Sequence, residues 1–212
     1  MAVIKTLIRL CLGLQIAFTG APALAEIPMV ASFERMAIIT KKRFCIEAVR
    51  EMESGTNHAQ NVHSLNMLSE LLANKNSPPD FVLALKLALP NAAIAVTDPD
   101  IIRVLDKKLT PKMLEVFDLS VKISDYSGRV GDLLSSISLE KRTLMLDQVI
   151  HFPGPSYQVV EKRNFEVKKF SFTGTLRGLL TALATQTGPS GSYFASLDDS
   201  YLVVRFFPFE DK

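Results

Sequence analysis

Two stretches in the second half of the chain share a pattern of apolar and polar positions. Residues 121–137 read VKISDYSGRVGDLLSSI, and residues 167–183, which begin 46 positions later, read VKKFSFTGTLRGLLTAL. Each begins with strand-like residues, passes a Gly, and continues with apolar residues at i, i+3, i+4 and i+7, which form one face of a helix. Since strand, Gly and all four helix positions correspond without a gap, we predict a duplicated βαβ-type unit.

The second copy carries the stronger local signals. Thr175 is expected to cap a helix that has four leucines on its core face, and Gly188 before a proline is expected to end it. The run SYFASLDDSYLVVRFF at 192–207 alternates on both sides of two aspartates, so it predicts a C-terminal β-hairpin. In the first copy, we predict strands within 115–124 and 143–152.

The region 26–112 has mainly helical patterns. We expect helices within 32–53, 62–75, 81–89, with Asp80 as the cap of the third, and 100–109, and a short strand at 92–98. The predicted fold class is therefore α+β: a helical N-terminal part at 26–112, followed at 113–209 by two βαβ-type units packed into one domain.

The first 25 residues have the pattern of a secretory signal peptide. Lys5 and Arg9 precede an apolar stretch, and Ala23-Leu24-Ala25 matches the A-x-A pattern of signal peptidase sites. An uncleaved anchor is the alternative, but Gly20 and Pro22 would interrupt a membrane span. We expect a periplasmic or secreted protein that is soluble after residues 1–25 are removed and has no membrane span.

The charge balance gives no reason to expect a nucleic-acid partner. The chain has 24 Lys and Arg against 22 Asp and Glu. The two charged residues of the leader are both basic, so the remainder has equal numbers of each sign. A uniform basic field that would attract nucleic acid is therefore not expected.

The sequence at 170–188, FSFTGTLRGLLTALATQTG, together with DSYLVVRF at 199–206, resembles the short N-terminal domain shared by secretins and TonB-dependent receptors (the STN domain). That family has two βαβ-type units, each with a Gly-turn-helix motif ahead of a Leu-Leu pair. The resemblance covers about Leu114 to Phe207 and does not extend to the N-terminal half. It implies an interaction module that contacts other envelope proteins, as an accessory part of a secretion or TonB-type uptake complex, without catalysis.

We looked for catalytic and metal-binding patterns and expect neither a catalytic residue nor a cofactor. His58, His63 and Cys45 lack a recognisable zinc spacing, so two polar residues near a helix start and a small buried thiol are the better interpretations. His151 and Asp147 accompany no G-x-S-x-G elbow, which argues against a hydrolase triad. No metal site is expected either.

The aromatic C-terminus is the possible partner contact. Phe206, Phe207 and Phe209 end the chain in RFFPFEDK, and two neighbouring residues of a strand face opposite sides, so one of them is expected to lie away from the local core. Coverage by the N-terminal half is the alternative. For function, the alternative is a periplasmic enzyme or a small-ligand, peptide or peptidoglycan-binding protein with a site between the two parts.

Overall fold

The structure is a computed structural model that describes residues 29–50, 52, 58–74, 80–146 and 164–208. The helices of this part of the chain are α1 (Met29–Thr40), α2 (His58–Ala73), α3 (Phe81–Ala88), α4 (Pro111–Phe117), α5 (Val130–Ser135) and α6 (Leu176–Ala184). The strands are β1 (Arg43–Val49), β2 (Ala92–Asp98), β3 (Ile101–Asp106), β4 (Ser120–Arg129), β5 (Ser138–Leu139), β6 (Arg142–Leu146), β7 (Glu166–Thr175), β8 (Ser192–Leu197) and β9 (Tyr201–Phe207). The predicted α+β class is confirmed. The predicted signal peptide lies outside the described residues.

One seven-stranded sheet runs through both parts of the chain, in the order β2-β3-β1-β8-β9-β6-β5. Strand β1 pairs in parallel with β3 on one side and with β8 on the other, where Cys45 lies opposite Tyr193 and Val49 opposite Leu197. Strands from 26–112 and strands from 113–209 therefore continue each other in a single hydrogen-bonded ladder.

The two faces of this sheet are covered by different parts of the chain. On one face, α1, α2 and α3 pack over Phe44, Ile46 and Phe194. On the other, α4, α5, α6 and a two-stranded sheet of β4 and β7 cover Tyr193 and Phe206. The central strand β1 is buried on both sides, as expected for a strand that has parallel neighbours and a helical layer on each face.

The predicted duplication has a structural counterpart. The order strand, helix, strand, strand occurs twice, as β4-α5-β5-β6 and β7-α6-β8-β9, and both the first strand and the helix of the second unit begin 46 residues after those of the first. Strands β4 and β7 pair antiparallel, with Ser120 opposite Thr175 and Arg129 opposite Glu166. Exchanging the two copies maps one of these pairs onto the other, so β4 and β7 are related by a local two-fold axis. The equivalent strands β6 and β9 pair in parallel, and both helices lie on the same face of the sheet, so this axis does not relate the whole units.

The local predictions for the second copy are confirmed. The Thr175 hydroxyl accepts a hydrogen bond from the Gly178 N–H at 3.2 Å, as an N-cap should. A 3-10 turn follows α6 and ends at Gly188, whose φ of 142° is open to glycine but strained for other residues. The hairpin of β8 and β9 forms as predicted. In the N-terminal part, Asp80 caps α3.

Two predicted helices of the N-terminal part were wrong in the same way. The helix predicted over 32–53 ends at Thr40, and residues 43–49 form β1; the helix predicted over 100–109 is instead β3. Strand β1 is buried on both faces, which removes the alternation that would have identified a strand. Burial does alternate along β3, but Ile101 and Leu105 on its less buried face are also apolar, so the sequence does not show the alternation.

The start of the first copy was also assigned incorrectly. The predicted strand within 115–124 begins only at Ser120, because residues 111–117 form α4. Thr110 caps this helix by accepting a hydrogen bond from the Met113 N–H, and Pro111 occupies the first helical position. A threonine cap followed by proline is a helix-start signal that outweighs the β-branched residues after it.

Candidate functional site

The proposed aromatic contact is not on the surface. Phe206 and Phe207 point to opposite faces of the sheet, as predicted, but both side chains are fully buried. Phe206 packs in the core beneath α6, with its ring 5.7 Å from that of Phe165, and Phe207 packs in the core beneath α1. The N-terminal half therefore covers the strand, and neither residue is available to a partner. Phe209 lies outside the described residues.

The histidines and the thiol do not converge. His58 and His63 lie on α2, where His58 Nδ1 is 3.2 Å from the Met52 carbonyl oxygen, whereas Cys45 is buried in β1. Within the described residues, no group of three His, Cys, Asp or Glu side chains is placed to hold a metal ion. His151 and Asp147 fall outside the described residues.

A buried polar cluster, which we call the Glu47 cluster, consists of Glu47, Arg103, Arg177, Tyr193 and Asp118. Its centre is the carboxylate of Glu47, which is fully buried in the middle of β1. Arg177 on α6 binds it with two nitrogens: Nε lies 2.7 Å from Oε1 and Nη2 lies 2.9 Å from Oε2. This bidentate geometry is the strongest form of an Arg–carboxylate pair.

Two neighbouring strands supply the other donors to Glu47. The Tyr193 hydroxyl on β8 donates to Oε1 at 3.0 Å, and Arg103 Nη1 on β3 lies 3.3 Å from the same oxygen. These groups meet because β1 lies between β3 and β8: Arg103 and Tyr193 are both opposite Cys45, two residues before Glu47 and on the same face of the sheet. Residues from both parts of the chain therefore share one carboxylate.

The outer end of the cluster is held by Arg177. Its Nη1 contacts the largely exposed Asp118 carboxylate, and its guanidinium lies 5.7 Å from the centre of the Phe117 ring. Arg177 thus connects the buried Glu47 to the C-terminal end of α4. A lysine could not make these contacts together, because it lacks the planar guanidinium.

Burial and hydrogen bonding shift the pKa values of two members of the cluster, Tyr193 and Arg177. Burial, and next the charge of Glu47, raise the pKa of Tyr193 well above its ordinary value of 10.0. The hydrogen bonds to Glu47 raise the pKa of Arg177 despite its partial burial. Burial also raises the pKa of the nearby Cys45 thiol, opposed by its contact with Thr181. A thiol in such a setting is not activated as a nucleophile.

The Glu47 carboxylate binds other groups of the fold. Its two oxygens accept four contacts, from Arg177 twice, Arg103 and Tyr193. These contacts occupy the acceptor positions of the carboxylate with donors of the fold itself. We therefore interpret the Glu47 cluster as a joint between the two parts of the chain.

The sequence interpretation did not identify this cluster. Its members come from positions 47, 103, 118, 177 and 193, which only the tertiary structure brings together. One signal was present: Glu47 is the single charged residue within the run FCIEAV at 44–49, and a charged residue in a buried run needs a partner.

The second notable feature is the free edge of the large sheet at β2, which we call the β2 edge. Within the described residues, β2 pairs only with β3. Residues 92–97 read AAIAVT and carry no charge, and the side chains from Val96 to Asp98 are exposed. An edge strand usually carries lysine, proline or a strong twist that blocks pairing with another strand. Here the bulge falls only at the end, between Val96 and Asp98.

Exposed apolar side chains lie on the same side of the sheet as the core of this strand. Val96 is opposite the core residue Ile102, so it faces the side that α3 covers, and it is 51% exposed. On α3, Leu83 and Leu87 are 42% and 56% exposed, but they lie on the helix face opposite the buried Leu85 and so point away from the sheet. The β2 edge therefore combines unpaired backbone with the exposed apolar side chain of Val96.

Three kinds of comparison with known proteins returned no match: no protein-family model, no curated protein and no solved structure resembles the chain. Among the described residues, no helix has both the length and the apolar character needed to cross a membrane.

Proposed function

We propose that the chain is an exported, non-enzymatic interaction module of the cell envelope, accessory to a secretion or TonB-type uptake complex, and that it binds by accepting a strand at the β2 edge. The observation that carries the proposal is the open β2 edge, which has no charged residue from 92 to 97 and exposes Val96. Main-chain hydrogen bonds to an edge strand provide affinity, and neighbouring side chains provide selectivity.

The other sheet edges are less suited to this role. Strand β5 is two residues long. Strands β4 and β7 have register shifts, and Asp125 and Lys169 within them have positive φ angles. The N–H groups of these two residues donate to the hydroxyls of Ser171 and Ser127, respectively. Bulges and lysines of this kind hinder pairing with a further strand. The β2 edge is the one that we assign to the partner.

The envelope part of the proposal rests on two features. The first is the signal-peptide pattern at 1–25. The second is the resemblance to the STN domain, whose two-unit plan has a counterpart in the repeated order β4-α5-β5-β6 and β7-α6-β8-β9. In that family the domain acts by contact with other envelope proteins, and this role is compatible with an open strand edge.

The alternative is a periplasmic enzyme or ligand-binding protein with a site between the two parts. The Glu47 cluster lies at that position, since β1 and β3 belong to one part and β8 and α6 to the other. A ligand there would have to displace Arg177, Arg103 or Tyr193 from the carboxylate, at the cost of exposing or orphaning a buried charge. The geometry therefore favours the interaction module.

The test is capture from the native envelope with identified components. The tagged chain, its Val96→Lys variant and a Met145→Lys control are used to recover proteins, which are identified by mass spectrometry. Met145 is a matched control because it is a half-exposed apolar residue of the same sheet, near the opposite edge. We expect components of a secretion or TonB-dependent uptake complex with the wild type and Met145→Lys, and their loss with Val96→Lys. Recovery of no such component, or equal recovery with Val96→Lys, would contradict the proposal.

A further inference from the structure

We propose that the strand which the β2 edge accepts carries an acidic residue opposite Ala95, and that Arg103 binds its carboxylate. The inference rests on the proposed function in one respect, that β2 accepts a strand, and it adds the chemistry by which the partner is selected. Arg103 is the residue of β3 directly opposite Ala95. Both lie on the face of the sheet that α4 and α6 cover nearer its centre, because Arg103 is in turn opposite Cys45.

The register of β2 decides which of its residues present backbone groups to a partner. The Lys107 N–H donates to the Asn91 carbonyl oxygen at 2.9 Å, in line with the register of β2 and β3. Hydrogen-bonded pairs recur at every second residue of an antiparallel ladder, so Ala95 is bonded to β3, whereas Ile94 and Val96 turn their backbone groups to the open edge. A partner strand therefore bonds to Ile94 and Val96, and its residue between these two contacts lies opposite Ala95.

Small side chains leave an open path from the edge to Arg103. Opposite residues of neighbouring strands point to the same face, so the partner residue opposite Ala95 shares its face with Arg103. Ala93 and Ala95 are exposed on this face and carry only methyl groups. Neighbouring strands lie about 4.8 Å apart, so the partner residue and Arg103 are about 10 Å apart across one methyl group. The long side chains of arginine and glutamate together span this distance.

Arg103 has hydrogen-bond donors that the fold does not use. A guanidinium group carries five N–H donors. Within the described residues, the polar contact of Arg103 is the one from Nη1 to Glu47 Oε1 at 3.3 Å, and its side chain is 21% exposed. Arg177 is equally exposed, but it uses three nitrogens on Glu47 and Asp118. Of these two arginines, Arg103 is therefore the one able to bind a further carboxylate.

Binding by Arg103 leaves no charge of the Glu47 cluster unpaired. Its contact with Glu47 is the longest of the four that this carboxylate accepts. When Arg103 turns toward the edge, Glu47 keeps both nitrogens of Arg177 and the hydroxyl of Tyr193. The carboxylate of the partner then takes the place of Glu47 at Arg103, as a charge-assisted hydrogen bond.

The other charged groups of this region leave the unused donors of Arg103 to a partner. Arg43, on the same face, donates to the Pro189 carbonyl oxygen at 3.0 Å. Asp98 accepts a backbone N–H of the following turn, and it lies three residues, about 10 Å, along the strand from Ala95. The further charges at that end of the sheet have both signs: Lys41, Lys42 and Asp100. Selection of an acidic residue thus depends on the position of Arg103 and not on the net charge of the edge.

The test is the binding of synthetic strand peptides to the purified chain, measured by fluorescence anisotropy. The host peptide alternates threonine and valine and has glutamate at its centre (Thr-Val-Thr-Val-Glu-Val-Thr-Val-Thr). Two further peptides carry glutamine or lysine at the centre. We expect the glutamate peptide to bind about fivefold more tightly than the glutamine peptide, because it adds one partly exposed ion pair. The lysine peptide should bind most weakly.

Variants of the chain assign this preference to Arg103. Arg103→Gln should bind the glutamate and glutamine peptides with equal affinity, whereas Arg103→Lys should retain part of the preference because it keeps the charge. Val96→Lys should weaken the binding of all three peptides, and Met145→Lys should bind them like the wild type. The comparison of peptides on the unchanged chain requires no variant to fold.

Equal affinity of the wild type for the glutamate and glutamine peptides would overturn the inference, as would a preference that Arg103→Gln retains. If Val96→Lys still weakens these peptides, strand acceptance at the β2 edge stands without the acidic selection. Failure of every peptide to bind at up to about 1 mM would contradict both. A preference that Arg103→Gln removes supports the inference even where the capture experiment recovers no envelope component and contradicts the proposed function.

Discussion

In the N-terminal portion of the large sheet, the inner strand β1 and the outer strand β2 differ in how fully their backbone is paired and their side chains are buried. At the inner side, β1 pairs with β8, its side chains from 44 to 49 are buried, and the buried charge, Glu47, accepts four contacts. At the outer side, β2 leaves one backbone edge unpaired and exposes Val96. The buried polar contacts thus join the two parts of the chain, while the backbone of the outer edge remains able to accept a strand.

The contrast also separates what stabilises the molecule from what it can contact. Changes at the Glu47 cluster should alter the free energy of unfolding, because they leave a buried polar group without its partner. Changes on the exposed face of the β2 edge should alter association and leave the fold almost unaffected. The following experiments test this separation, from the largest expected effect to the smallest.

Glu47→Ala should have the largest effect. It removes the carboxylate that both Arg177 and Arg103 contact, and it leaves two guanidinium groups without their buried partner. We expect the free energy of unfolding to fall by about 3–5 kcal/mol, as for other broken buried ion pairs, measured by denaturant titration. Asp118→Ala is the control: this largely exposed carboxylate contacts the same Arg177, and its loss should cost less than about 1 kcal/mol. Equal effects of the two variants would show that the cluster does not join the parts.

Tyr193→Phe should have a moderate effect. It keeps the ring in the core and removes only the hydroxyl that donates to Glu47 at 3.0 Å. Since Arg177 and Arg103 still hold the carboxylate, we expect a loss of about 1–2 kcal/mol in the same titration. A variant as stable as the wild type would mean that the Tyr193 hydrogen bond contributes nothing to the joint.

The pH dependence of that difference provides a third test. The pKa of Tyr193 is raised in the fold by burial and by Glu47, so its contribution is complete below the unfolded value, near 10.0, and is lost as pH rises beyond it. The stability difference between the wild type and Tyr193→Phe should therefore shrink above about pH 10. Both proteins retain Cys45, whose raised pKa adds an alkaline loss common to the two. A difference that stays constant or grows in alkali contradicts the assigned environment of Tyr193.

Val96→Lys should have the smallest effect on the fold. Because half of this side chain is exposed at the free edge, the free energy of unfolding measured on the monomer should change by no more than about 0.5 kcal/mol. The same variant should lose capture of envelope proteins. A loss of stability comparable to that of Glu47→Ala would place Val96 in the core and remove the basis for the interaction surface.

The sequence predicted the parts of the fold in which local signals agree with one another. The second unit has alternating strands, a threonine cap at Thr175 and a glycine at Gly188 where the backbone has positive φ, and all of these appear as predicted. The 46-residue offset anticipated the repeated order of strand, helix, strand and strand. These features depend on short-range chemistry that residues express regardless of their tertiary neighbours.

The N-terminal strands were harder to predict for a physical reason. Strand β1 is buried on both faces, so its apolar run at 44–49 has neither helical nor strand periodicity, and only its position between β3 and β8 distinguishes the two. The Glu47 cluster depends on the same tertiary information. The burial of Phe206 and Phe207 on opposite faces also follows from the second layer of helices, which the pattern of β9 alone does not reveal.

Hydrogen exchange followed by mass spectrometry tests the central claim most directly, because it reports on the joint and the β2 edge in one sample. The account predicts that the amides of β1 and β8 are protected at every protein concentration. The β2 amides that do not pair with β3 should exchange rapidly. Amides of β2 that are all as protected as those of β1 would contradict the account.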